Sequence, residues 1–151
     1  MEKEKSKDNN WLKSKAKAVE GFLESEEYCK NELELIDERL EEIDAILETG
    51  CVRGISPDHP ISDGSNGGSN RSKHEMLILH KCNLEEKRRK IESRKEKIEF
   101  IYTSLSLTER KYLELRFREN RTFEEIGEIM HASRETVRRE INRILQSVDI
   151  F

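Results

Sequence analysis

The stretch from Thr122 to Val148 constrains the fold most, because it holds two helix starts on either side of a short turn. In Thr122-Phe123-Glu124-Glu125 the Thr hydroxyl can take one orphan backbone donor while the Glu three residues on reaches back, the pattern of a capping box. Phe123, Ile126, Ile129 and Met130 recur at helical spacing, and Gly127 offers the small side chain needed where a second helix crosses the first. After His131-Ala132, Ser133 is suited to cap that second helix, whose apolar positions are Val137, Ile141, Ile144, Leu145 and Val148. The opposite face carries Glu135, Arg138, Arg139 and Asn142, flanked by Arg134, Thr136 and Arg143. The spacing predicts a helix-turn-helix.

Such a face has little to bury and much to offer a duplex. A helix in the major groove can present guanidinium groups to guanine O6 and N7, an amide to adenine and a carboxylate to a cytosine amine. The expected DNA-binding residues are therefore Thr122, Ser133, Arg134, Glu135, Thr136, Arg138, Arg139, Asn142 and Arg143. A solvated charged face would explain the charges alone. It does not require the preceding helix, the turn or the small residue at the crossing. Residues 106 to 151 carry 9 basic against 9 acidic side chains, so non-specific affinity is expected to be weak, leaving specific contacts or several copies to supply binding.

The rest of the chain predicts long helices. Charged residues make up 40% and hydrophobic ones 34%, too little apolar surface for a thick layered core. Residues 1 to 10 are expected to be disordered, because nothing there buries enough surface to offset the ordering entropy. Residues 11 to 105 are expected to form a helical hairpin. Trp11, Leu12, Val19, Phe22 and Leu23 share one side of its first helix, which Gly21 weakens without necessarily breaking. The pattern tightens into Leu33, Ile36, Leu40, Ile43 and Leu47, a coiled-coil seam. Residues 50 to 72 contain both prolines and five of the seven glycines, and are expected to be a linker or functional loop. A second long helix follows, with Leu77, Leu84, Ile91, Ile98 and Leu105 at sevens. The first helix is acidic, with 15 Asp and Glu against 8 Lys and Arg in residues 1 to 50, and the second is locally basic, so their rims would pair when antiparallel. The thin stripe of the second helix leaves part of the first unsatisfied, from which a homodimer through the hairpin is expected. Ser106-Leu107-Thr108-Glu109 has the form of another capping box and opens the final domain, residues 106 to 151, with Tyr112, Leu113, Leu115 and Phe117 as its next core positions.

Several classes are disfavoured. No apolar run approaches the roughly 18 to 20 residues needed to span a bilayer, and the Lys-rich start lacks the core of a secretory signal, so a cytoplasmic protein with no membrane partner is expected. Cys29, Cys51 and Cys82 are odd in number and lack a CxxC, which predicts reduced thiols. Cys51, His59, His74, His80 and Cys82 surround the loop, but no spacing matches a zinc site, and no metal or cofactor is expected. No nucleophile, base and orienting group are recognisable, and no phosphate-cradling loop, so neither an enzyme nor a small-molecule substrate is expected.

Taken together, LTERKYLELRFRENRTFEEIGEIMHASRETVRREINRIL resembles region 4 of the bacterial sigma-70 family, carried by the Leu-Thr-Glu-Arg opening, Leu-Arg-Phe, Glu-Glu-Ile and Ser-Arg-Glu-Thr-Val. Two positions depart: His131 stands at a turn position usually held by Gly, and Glu140 where an apolar residue is common. Across residues 20 to 148 the heptad segment ending ERLEEIDAIL, the Ile-Ser-Asp-Gly-Ser-Asn-Gly-Gly loop, the second long helix and this C-terminus are similar to small phage regulators of the RinA and LtrC type. The resemblance implies an all-α chain, a long antiparallel hairpin followed by a sigma-region-4-like helix-turn-helix. It also implies activation of phage late genes at promoters, with double-stranded DNA and RNA polymerase as partners. A complete sigma factor is disfavoured, since the hairpin offers one Trp and no aromatic cluster for unstacked bases. Two alternatives stand beside this reading: a DNA-packaging protein like a terminase small subunit, and an interaction protein that mimics sigma without binding DNA.

Overall fold

The computed structural model describes residues 2–49 and 68–149, and side chains within 5–49 and 73–149. Six α-helices and one π-helical turn account for nearly all of it: α1 (Glu2–Glu24), α2 (Glu26–Thr49), α3 (Gly68–Ser104), α4 (Leu107–Leu113), the π-turn Glu114–Arg118, α5 (Phe123–Met130) and α6 (Arg134–Ser147). No strand occurs among the described residues, so the fold is all-α. No helix among them is long and apolar enough to cross a membrane.

The helices form two compact units, Cys29–Ser93 and a discontinuous one made of Met1–Tyr28 with Arg94–Phe151. In the first, α2 and α3 run antiparallel, since Asp44 pairs with Lys81 at 2.6 Å while Asp37 pairs with Arg88 at 2.9 Å. Glu32 meets Lys87 at 2.6 Å. Acidic α2 thus faces basic α3, as the charge blocks predict. Between the rims, Cys29, Ile36 and Ile91 are buried with Leu33, Leu40 and Leu84 against them. Exposed ion pairs contribute little, so the charges select the register and the apolar seam holds it.

The second unit is built on a different principle from the one the heptads suggest. Val19 and Leu23 of α1, Ile98, Ile101 and Tyr102 of α3, Leu113 of α4, Ile126 of α5, and Val137 and Ile144 of α6 are fully buried in one core. Each such aliphatic or aromatic side chain stabilises the fold by about 1.5–3 kcal/mol relative to exposure. The sevens Leu77 to Leu105 therefore serve two cores: Leu84 and Ile91 belong to the hairpin, Ile98 and Leu105 to the helix-turn-helix unit. A boundary at residues 105 and 106 does not separate the compact units, because the end of α3 and the C-terminal part of α1, from Ala16 on, complete the C-terminal core.

Three further expectations are corrected. Helix α1 begins at Glu2, not beyond residue 10. Lys and Glu are good helix formers, and extending an established helix costs little next to nucleating one. The first long helix is two helices, broken at Ser25 and not at Gly21. The Ser25 hydroxyl donates to the Phe22 carbonyl at 2.7 Å and accepts from Arg94 Nε at 2.8 Å, and the Arg94 guanidinium lies 4.3 Å from the Phe22 ring centre. A serine that bonds the preceding turn competes with the helical ladder. Finally, α3 starts at Gly68, inside the expected loop, while residues 50–67 with Cys51 and His59 lie outside the described residues. Trp11 is 61% exposed, and Ala16 takes the inward position on α1.

Candidate nucleic-acid interface

The interface is positioned by caps. Thr122 Oγ1 accepts the Glu125 N–H at 3.2 Å, and Glu125 Oε2 accepts the Thr122 N–H at 2.9 Å, so the box is complete in both directions. Ser133 Oγ accepts the Thr136 N–H at 3.2 Å and lies 2.7 Å from its hydroxyl. At Ser106 the hydroxyl caps α4 by accepting the Glu109 N–H at 3.3 Å, while the Glu109 carboxylate lies 3.9 Å from Arg143.

Between α5 and α6 the chain turns through His131, whose φ of 55° and ψ of 44° are left-handed. Glycine takes this conformation freely and His does so at a cost. The turn is closed by the Ala132 N–H donating to the Gly127 carbonyl at 2.9 Å. A Cβ at Gly127 would lie 2.5 Å from the Ala132 carbonyl oxygen, so the small residue is demanded by the backbone of the turn itself.

Every one of Thr122, Ser133, Arg134, Glu135, Thr136, Arg138, Arg139, Asn142 and Arg143 is solvent-exposed. The turn of α6 opposite them buries Val137, Ile141, Ile144 and Leu145. The structure thus brings α6's charged side chains together on one accessible face, and engages Thr122 and Ser133 as caps at the two helix starts. It also shows that the arginines have carboxylate partners. Arg138 Nη2 pairs with Glu135 Oε1 at 2.6 Å, with Arg139 Nε 3.6 Å from the same oxygen. Arg134 Nη1 lies 3.6 Å from Glu124 Oε1, and Arg143 pairs with Glu140. Glu140, at the position where an apolar residue would be ordinary, is half-buried and spends its charge on Arg143. The signal for these pairs is the three-residue spacing of Glu135 to Arg138 and Glu140 to Arg143.

The hydrogen bond from Arg138 holds the Glu135 carboxyl below the usual carboxylate range, and that from Arg143 does the same for Glu140. Both are therefore protonated at lower pH than a Glu without such a partner. A phosphate or base edge must therefore compete with a carboxylate for Arg138. Replacing Glu135 with Gln is expected to raise affinity for mixed-sequence duplex several-fold and steepen its salt dependence, because a guanidinium is released and a negative charge is removed. Fluorescence anisotropy at graded salt measures both; unchanged affinity would show that the Arg138 side chain stays clear of the duplex.

Among the described residues no group of His, Cys, Asp and Glu could hold a metal ion. His74, His80 and Cys82 are exposed along α3.

Residues 103–148 match the family described as Sigma-70, region 4, a span that runs from the last turn of α3 to the end of α6. This segment is a sigma-region-4-like helix-turn-helix, a regulatory type of DNA-binding domain. Comparison with curated proteins and with solved structures gives no match.

Proposed function

We propose that the chain is a sequence-specific transcriptional regulator that binds promoter DNA through α6 and works with RNA polymerase. In its fuller form the proposal is an activator of late genes in a phage or prophage, acting in the cytoplasm of a bacterial host. The observation that carries the reading is the exposed α6 face, Arg138, Arg139 and Asn142 among it, borne by a segment that matches sigma region 4. The late-gene role rests on the resemblance to the RinA and LtrC regulators. Arg139 Nε lies 3.6 Å from the nearest carboxylate oxygen and its side chain is 78% exposed, so it is the guanidinium of α6 freest to reach a base.

Self-association through the hairpin is part of the proposal. Leu35 of α2 and Ile78 and Leu79 of α3 are exposed apolar side chains within the hairpin unit, available to a second copy. A dimer would add avidity to a helix-turn-helix with no net charge of its own.

Genome-wide mapping of bound DNA in the host tests the function. Peaks at promoters upstream of structural and packaging genes support it, whereas occupancy of a single packaging site would replace it with the terminase-like alternative. On a promoter found this way, Arg139→Ala is expected to weaken binding roughly ten- to a hundredfold and to relax the preference at one base pair. An equal loss on mixed-sequence duplex would make Arg139 a phosphate contact.

A further inference from the structure

We propose that one broad face of the hairpin of α2 and α3, marked by Leu35, Ile46, Met76 and Leu79, seats the same face of a second copy, with the two hairpins stacked and pointing the same way. The inference rests on the self-association reading above and names its face and its direction.

The hairpin has little core of its own. Cys29, Ile36, Ile43 and Ile91 are the buried side chains among the described residues of this unit, since two helices can cover only one side of each other. A unit this thin gains stability from a partner. Near the start of α3, Met76, Leu77, Ile78 and Leu79 make the helix apolar on every side, a pattern that suits a helix enclosed from more than one direction. Leu77 is half-buried, but Met76 is 64%, Leu79 61% and Ile78 44% exposed.

The ion pairs show which side each helix presents. Glu32 pairs with Lys87 along one side of the seam, whereas Asp37 and Asp44 pair with Arg88 and Lys81 along the other. At about 100° per residue, Leu35 and Ile46 fall on the Glu32 side of α2, and Met76 and Leu79 on the Lys87 side of α3. Ile78 falls on the opposite face. Single exposed apolar side chains need no partner, but these four share one face. Charge then selects the occupant and its direction. Helix α2 carries ten acidic side chains against two basic, and α3 ten basic against six acidic. Two identical faces related by a two-fold axis can stack in two ways. With the axis along the hairpins, α2 lies on α3 of the second copy, and the pair of Glu32 and Lys87 meets its inverse, four charges of alternating sign at one level. With the axis across them, α2 lies on α2 and acid faces acid, which is unfavourable. The first arrangement keeps levels: counted from the ion pairs, Ile46 of one copy meets the turn with Met76 and Leu79 of the other, and Arg39 meets Asn83. Both copies then enter and leave the bundle at the same end, so two DNA readers are tethered within a short span.

The test combines sedimentation equilibrium of the full chain with crosslinking. The unaltered chain is expected to be a dimer. Leu35→Glu with Met76→Glu should raise its dissociation constant more than about a hundredfold, with circular dichroism unchanged because both side chains are exposed in the single chain. Ile78→Glu, on the opposite face, should change it by no more than about threefold. For the direction, Cys51→Ser and Cys82→Ser remove the thiols other than buried Cys29, and chains carrying either Arg39→Cys or Asn83→Cys are mixed and treated with a short bismaleimide. A link between the two variants is expected, and none in either variant alone. Arg39→Cys chains that link to each other, or a dimeric mixture that gives no link, would overturn the inference. So would a dimer untouched by the double variant or broken as fully by Ile78→Glu; in each of these cases self-association itself stands. If the unaltered chain is a monomer, the inference and the self-association reading fall together, and DNA binding is left to its own assay.

Discussion

Replacing Gly127 with Val is expected to destabilise the helix-turn-helix unit by about 3 kcal/mol and to abolish specific DNA binding. The first Cβ atom alone would sit 2.5 Å from the Ala132 carbonyl oxygen, a backbone atom that no rotamer change can move. Relief requires the turn to open, which breaks the 2.9 Å bond from the Ala132 N–H to the Gly127 carbonyl and displaces Ser133, the cap of α6. Overpacking of this kind costs about 1–3 kcal/mol, and a branched side chain in a close backbone crossing lies at the upper end. Thermal unfolding followed by circular dichroism should show the midpoint lowered by more than about 10 °C. Gly127→Ala, which regains some helix propensity, should lose less. A midpoint within about 2 °C of the unaltered chain would mean the turn has room that the geometry denies it.

Arg118→Ala is expected to cost about 2–3 kcal/mol in the same unit. The Arg118 guanidinium donates to both oxygens of Glu26, at 2.9 and 3.1 Å, and to Glu99 at 2.8 Å, and it lies 3.9 Å from the Tyr102 ring centre. The side chains of Arg118 and Glu26 are only 28% and 23% exposed, so removing one leaves the other partly desolvated without a counter-charge. Burial works against the charged form of Arg118, but the bond and charge of Glu26 outweigh it and raise its pKa. A raised pKa means the contribution is complete at all pH values below the ordinary range of an arginine, so the loss on mutation should be constant across the neutral range. Arg118→Lys separates charge from geometry: it keeps the cation but loses the fork and the stack, and should recover less than half of the difference. Equal stability of the Lys and parent chains would show that charge alone matters there.

The helix-turn-helix was legible because each of its signals is local. The Thr122 and Ser133 caps, the apolar set from Val137 to Val148 and the left-handed turn at His131 depend on neighbours within four residues, where spacing and side-chain chemistry decide the outcome. Pairing of α2 with α3 was legible from complementary charge and shared seams. What was hidden is which surface each seam meets. A heptad pattern marks the apolar side of a helix but not its neighbour, so Ile91 and Ile98 look alike in the sequence while lying in different cores. The π-turn at Glu114–Arg118 was hidden as well. It ends where the Arg121 N–H reaches the Leu115 carbonyl at 2.9 Å around a left-handed Asn120, a residue type that tolerates this conformation but does not by itself announce a π-turn. The carboxylate partners of the α6 arginines fall between these cases: two are readable from spacing, while Glu124 and Glu109 come from other helices.

The discontinuity of the second unit has a consequence for synthesis. Val19 and Leu23 are synthesised well before the side chains they pack against, which run from Ile98 to Val148. The hairpin can assemble before residues 94–148 have been made, but the helix-turn-helix unit cannot. A polypeptide cut short before α6 would expose the apolar side of α1 with nothing to cover it, so prematurely released products should be prone to proteolysis and aggregation.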